Sequence, residues 1–334
     1  MIKIFLKNDP FLLVVSAFIF IVLRLGFYLT GVLPLDDLYE SSTDHFNYGP
    51  LGDLLYTFER NVFGFNLYLI ESTKVIIVLH QATLLNRLTN RNNAYSENNY
   101  LVSFLYLIYT CALGDQLVLN PFLVSFTFIL LALGKVLRRI GNEVTDDLFL
   151  SCGFYLGFAF IIFPPSILYA LVFFFGLLFF TSAIPRRLIL FIYALVIPVL
   201  FVGCGYYWFY QLPLFFDLIK DSFTVANNSL SMVSIIGMGL ITMAIVRTLL
   251  YQRFTAHQSK IQYLIFLVSI VSSFLIIIGF GKGNQTDVGL AIAYSFFVGH
   301  LITLIKKKRA FTMVSFVFIL GLIGTSIYEG LVKF

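Results

Sequence analysis

The sequence is short of charge. Only 12% of its 334 residues are Asp, Glu, Lys or Arg, where a soluble domain carries about 25%. It has one Trp and three Cys against 39 Phe, and 59% of it is apolar. A soluble fold of this length lacks the interior to hide so much apolar surface. The mean hydropathy of +0.92 points the same way. The shortage therefore excludes a soluble enzyme, a disordered regulator and a nucleic-acid binder, and it makes the bilayer the solvent. Cys111, Cys152 and Cys204 are far apart and lie in apolar stretches. Their odd number and spacing fit neither a disulfide framework nor a metal site; small buried apolar residues are the better reading. No connecting stretch is long enough for a soluble domain, and there is no Walker A pattern, hence no ATPase module.

What the sequence has instead is a run of apolar stretches. Eleven candidate spans cover 11–33, 63–85, 100–113, 119–137, 148–163, 166–183, 189–209, 232–250, 261–280, 288–304 and 312–332. The expected fold is an all-α polytopic bundle forming one integral-membrane domain over 1–334. Placing the N-terminus in the cytoplasm puts 16 of the 22 basic residues on the inner side and four outside, as the positive-inside rule requires. The C-terminus then falls outside. The localisation implied is a bacterial inner membrane. Segment 212–223, within an outer stretch 211–231, alternates apolar and charged residues at helical spacing and predicts a helix that either lies in the interface or caps the bundle without touching lipid.

Smaller signals fill in the bundle. Asn120-Pro121 and Asp146-Asp147 predict helix caps. Gly153 and Gly157 form a GxxxG pattern, expected to pack helices inside the bundle rather than to dimerise the chain. Segments 100–113 and 148–163 are short for spans, which suggests a cavity open to the outside, or else helices extended through polar ends.

Charge inside the bilayer is costly and marks the first place to look for function. Arg24 lies about 13 Å below the outer end of the first span, and Glu71 about 12 Å below that of the second. Consecutive antiparallel helices bring these depths together, and Lys74 is on the same helix face as Glu71. The expectation is an Arg24–Glu71–Lys74 cluster. It is either a structural ion pair or a site with one cation left over for an anionic head group. His80 and His300, each without a second ligand nearby, read as satisfied polar contacts. The loop 34–62 holds six of the 17 acids. Asp36 or Asp37 there is placed to act as a general base, and Asp44-His45 supply donors for a divalent metal beside them. A solvated acidic loop is the plainer alternative.

Two stretches carry a resemblance. Gln81-Ala82-Thr83-Leu84-Leu85-Asn86-Arg87 with Tyr100-Leu101, and Gly153 to Ala159 through Phe163-Pro164-Pro165 to Arg186-Arg187, resemble an uncharacterised integral-membrane family of Bacteroidota. An anchor helix, an acidic outer loop, a polar second helix and a Gly-x-x-x-Gly…Pro helix pair also look like the membrane module of GT-C glycosyltransferases. That resemblance implies transfer of a sugar from a polyprenyl-phosphate carrier at the outer face. It makes Asp36 or Asp37 the catalytic carboxylate, with Arg24, Lys74 or Arg60 on the lipid phosphate. The competing expectation is a non-catalytic subunit or scaffold that binds other integral-membrane proteins of an envelope complex. A transporter ranks third, because no internal repeat is found.

Overall fold

The computed structural model describes residues 5–6, 9–29, 49–63, 67–95, 98–112, 120–139, 145–180, 185–224, 255–278 and 288–304. Among these, regular structure is helical throughout, with no strand. We number the helices α1 (Phe11–Leu29), α2 (Pro50–Phe63), α3 (Leu67–Arg91), α4 (Leu101–Ala112), α5 (Pro121–Arg139) and α6 (Asp146–Ile162). A 3-10 turn at Pro164–Ser166 leads into α7 (Ile167–Phe180). Then come α8 (Pro185–Trp208), α9 (Leu212–Asp221), α10 (Ala256–Ile278) and α11 (Val288–Leu304). Three of the described helices, α5, α8 and α10, are long and apolar enough to cross a membrane. The segments expected at 232–250 and 312–332 lie outside the described residues.

Local chemistry sets the helix starts. Asn120 caps α5: its Oδ1 accepts from the Leu123 N–H at 2.6 Å, and Pro121 follows at a position where its missing N–H costs nothing. The expectation for α6 needs correction. Thr145 occupies the cap position and makes no side-chain cap bond. Asp146 and Asp147 sit in the first turn, where a negative charge favours the helix dipole. Asp146 also accepts from Arg187 Nε of α8 at 2.8 Å.

Helix α4 explains one of the short segments. Every side chain from Leu101 to Cys111 is buried, and α1, α3 and α11 pack around it. A helix of about 18 Å suffices because protein, not lipid, surrounds it. Phe5 stacks on Phe104 at 4.0 Å, and the Cys111 thiol reaches the Phe20 carbonyl, so α1 and α4 run parallel. Tyr109 stacks on Tyr294 of α11, while Tyr95, just before α4, bonds Phe296 O and stacks on His300. α11 is therefore antiparallel to α4.

Helix ends sort into two groups. The starts of α1, α4 and α10 meet the ends of α3 and α11: the Tyr100 N–H bonds Phe5 O, and His257 and Gln258 meet the Asn92 and Asn93 carbonyls. At the other end, the Gly49 N–H bonds Ile162 O at the end of α6, and the Tyr206 hydroxyl donates to Pro50 O at 2.9 Å. Beyond Tyr206 come four exposed aromatic residues, Tyr207, Trp208, Phe209 and Tyr210, with Tyr210 95% exposed. Amphipathic α9 follows and buries only Phe215 against Tyr206. The helix expected in 212–223 is thus present.

Part of the supposed acidic loop is also helical. Pro50 starts α2 at its first position, Asp53 favours its first turn, and Leu54, Phe58 and Val62 line one exposed face. Burial pushes the Asp53 carboxyl above its ordinary range. Folding therefore favours the protonated acid. Stability from this group is present at low pH and falls as pH rises from the unfolded-state value through the higher folded one. Asp53→Asn removes that loss. We expect its Tm advantage over the wild type to be near zero at acid pH and to grow toward neutrality. A constant difference across pH would refute this assignment.

Candidate anion site between the first and third helices

Arg24 comes from the C-terminal half of α1, and Glu71 and Lys74 from the first turns of α3. Because the two helices are antiparallel, all three reach one level. Arg24 Nη2 donates to Glu71 Oε2 at 2.7 Å. Lys74 Nζ lies 3.9 Å from Glu71 Oε1, close enough for attraction but too far for a hydrogen bond. The expected cluster forms. Its side chains are deeply placed, Arg24 at 8% exposure, Lys74 at 0% and Glu71 at 24%. The Arg24 guanidinium also lies 5.8 Å from the centre of the Phe20 ring, a favourable cation–π contact.

Two cations share one carboxylate, and the sharing is unequal. Arg24 takes the short charge-assisted bond, which is the strong kind. Lys74 Nζ has no hydrogen-bond partner among the described residues. A buried ammonium without partners is expensive. Of the three side chains, Glu71 is the most exposed.

Other polar residues of α3 are accounted for. Gln81 donates to Leu123 O at 2.7 Å and Thr127 Oγ1 at 2.9 Å, and accepts from the Tyr106 hydroxyl at 2.5 Å. That network ties α3 to α4 and α5. The His80 side chain is exposed and makes no polar contact among the described residues, against the expectation for it. His300 is buried, stacked on Tyr95 and 3.4 Å from Gln262 Nε2, as expected for a structural histidine.

Asp36, Asp37, Asp44 and His45 lie outside the described residues. The backbone of Arg60 belongs to α2, while its side chain is outside them too. Among the described residues, no group of three or more His, Cys, Asp or Glu side chains could hold a metal. One cluster escaped the sequence reading. Arg87, Arg91, Lys135 and Arg138 surround a cavity between α3 and α5, although in the sequence they register only as orientation charges. The i, i+4 and i, i+3 spacings within each pair were the available signal. Compared with protein-family models, curated proteins and solved structures, the chain matches none of them.

Proposed function

We propose that the chain is a multi-pass protein of a bacterial inner membrane. It has about eleven spans, its N-terminus in the cytoplasm and its C-terminus outside. Its Arg24–Glu71–Lys74 cluster holds the phosphate of a polyprenyl-phosphate carrier near the outer face. Asp36 or Asp37 acts as base in a GT-C-like sugar transfer. The observation that carries this reading is the leftover cation: Lys74 is fully buried and lacks a hydrogen-bond partner among the described residues, beside a carboxylate already bonded to Arg24. Arginine beside lysine suits a phosphate, the first by its bidentate fork and the second as a point charge. Support for the orientation comes from the bias of basic residues, and support for a membrane setting from the exposed aromatics at the end of α8, residues enriched at both faces where a membrane meets water.

The test is lipid analysis of the full chain purified in mild detergent. Polyprenyl phosphate should copurify with the wild type and be lost from Arg24→Met and Lys74→Met, both still folded. An Asp36→Ala/Asp37→Ala variant should retain the lipid but lose transfer activity at least about 100-fold. Full activity in that variant would exclude the assigned base.

One observation favours a second reading, a non-catalytic subunit of an envelope complex. Helix α8 buries only 17% of its most apolar window, against 61% for α5, and Phe201 is 81% exposed. That face fits another integral-membrane protein as well as it fits lipid. Reproducible copurification lost on Phe201→Ala would support this reading, and a monodisperse monomer would count against it.

A further inference from the structure

At the opposite end of α3 from Glu71 lies a cavity of about 190 Å³. Its walls come from α3 and α5, which run side by side and parallel, as the Gln81–Leu123 and Leu88–Gly134 contacts require. Leu84, Leu88, Leu130 and Leu131 supply an apolar lining. Arg87, Arg91, Lys135 and Arg138 supply four cations, and among the described residues no acid lines it. Each pair is one turn apart on its helix, so the positive charges and the leucines share one face. Among the described residues, Arg87, Arg91 and Lys135 form no ion pair.

Cations gather at helix C-termini and on the inner side of membranes for general reasons. Those reasons do not require them to frame a leucine-walled cavity. The combination has the chemistry of an amphiphile site, with an apolar wall for a chain and a cationic rim for phosphate. Basic pockets between helices at this membrane face are suited to phospholipid head groups. We infer that the α3–α5 cavity binds an anionic phospholipid, with preference for a head group carrying two phosphates, because the three charges of Arg87, Arg91 and Lys135 already exceed what one phosphodiester neutralises. This site is separate from the Arg24 cluster. It depends on the membrane orientation only for the leaflet it faces.

Gly134 makes the test sharp. Among the described residues, a Cβ there would meet nothing nearer than Leu88 Cδ1 at 3.9 Å. Gly134→Leu therefore fills the cavity, keeps every charge, and replaces glycine with a better helix former. Binding of cardiolipin, phosphatidylglycerol and phosphatidylcholine to the full chain in detergent can be read by native mass spectrometry. Cardiolipin should bind best and phosphatidylcholine least. Both Gly134→Leu and Arg87→Gln/Lys135→Gln should weaken cardiolipin at least tenfold. Arg186→Gln/Lys260→Gln, which removes the same charge from the same side, should change it less than twofold. Unchanged binding in Gly134→Leu, or an equal loss in the charge control, would overturn the site. Inorganic pyrophosphate should fail to displace the lipid at matched concentration; displacement would show that the anion alone is recognised and would overturn the lipid assignment.

Discussion

Glu71→Gln should destabilise the protein by about 3–5 kcal/mol, while Lys74→Met should cost nothing or raise stability. The two residues belong to one cluster, yet removing them does opposite things. Without the Glu71 carboxylate, Arg24 and Lys74 are left as two buried positive groups on neighbouring helices. Breaking a buried pair from one side leaves an uncompensated charge. Without Lys74 the 2.7 Å Arg24–Glu71 bond persists, and a methionine of similar length fills the buried space with an apolar side chain.

The contrast separates the two readings of the cluster. If Lys74 is a structural tie, its loss should resemble the loss of Glu71. If it is the cation reserved for an anion, Lys74→Met should remain folded and lose the bound lipid. The measurement is the fraction of full-length chain that stays monodisperse after heating in detergent, compared at one heating rate because such unfolding is commonly irreversible. Equal losses in the two variants would remove the anion-site reading. Arg24→Met/Glu71→Met, which removes both partners of the short bond, should be milder than Glu71→Gln for the same electrostatic reason.

The Arg24–Glu71–Lys74 cluster was legible in the sequence because helix rise converts position into depth. Two antiparallel helices read as consecutive spans need no further information to bring their charges level. The cap at Asn120 was legible for a similar reason, since it is local. The α3–α5 cavity was not. It joins α3 to α5, which are parallel and separated in sequence by α4, so their contact is a product of how three helices pack. Nor could periodicity tell that α4 is buried all round, because an apolar helix looks the same toward lipid as toward protein. Helix α2 was hidden by its setting: six acids make 34–62 resemble a loop and obscure the Leu54–Phe58–Val62 face. The roles of Asp36 and Asp37 rest on the sequence and the resemblance.

Gly153→Ala and Gly157→Ala should each lower stability by about 1–3 kcal/mol, although alanine is the better helix former by about 1 kcal/mol. The sign is set by α8. A Cβ on Gly153 would fall onto the Phe191 carbonyl oxygen, and one on Gly157 onto the Leu195 carbonyl oxygen and the Pro198 ring, 2.9 Å from its Cγ. These obstacles are backbone and a rigid ring, so no rotamer change relieves them. Close approach of small residues gives dispersion contacts that lipid cannot replace as densely. Gly205 is the internal control. It also lies within α8, but an added Cβ meets nothing within 4 Å. Gly205→Ala should keep or gain stability through helix propensity alone. The same heating assay reads all three variants, and tolerance of alanine at both 153 and 157 would refute the close α6–α8 packing. Because this glycine pair faces a helix of its own chain, the loss should not depend on protein concentration. A GxxxG dimer contact would show that dependence.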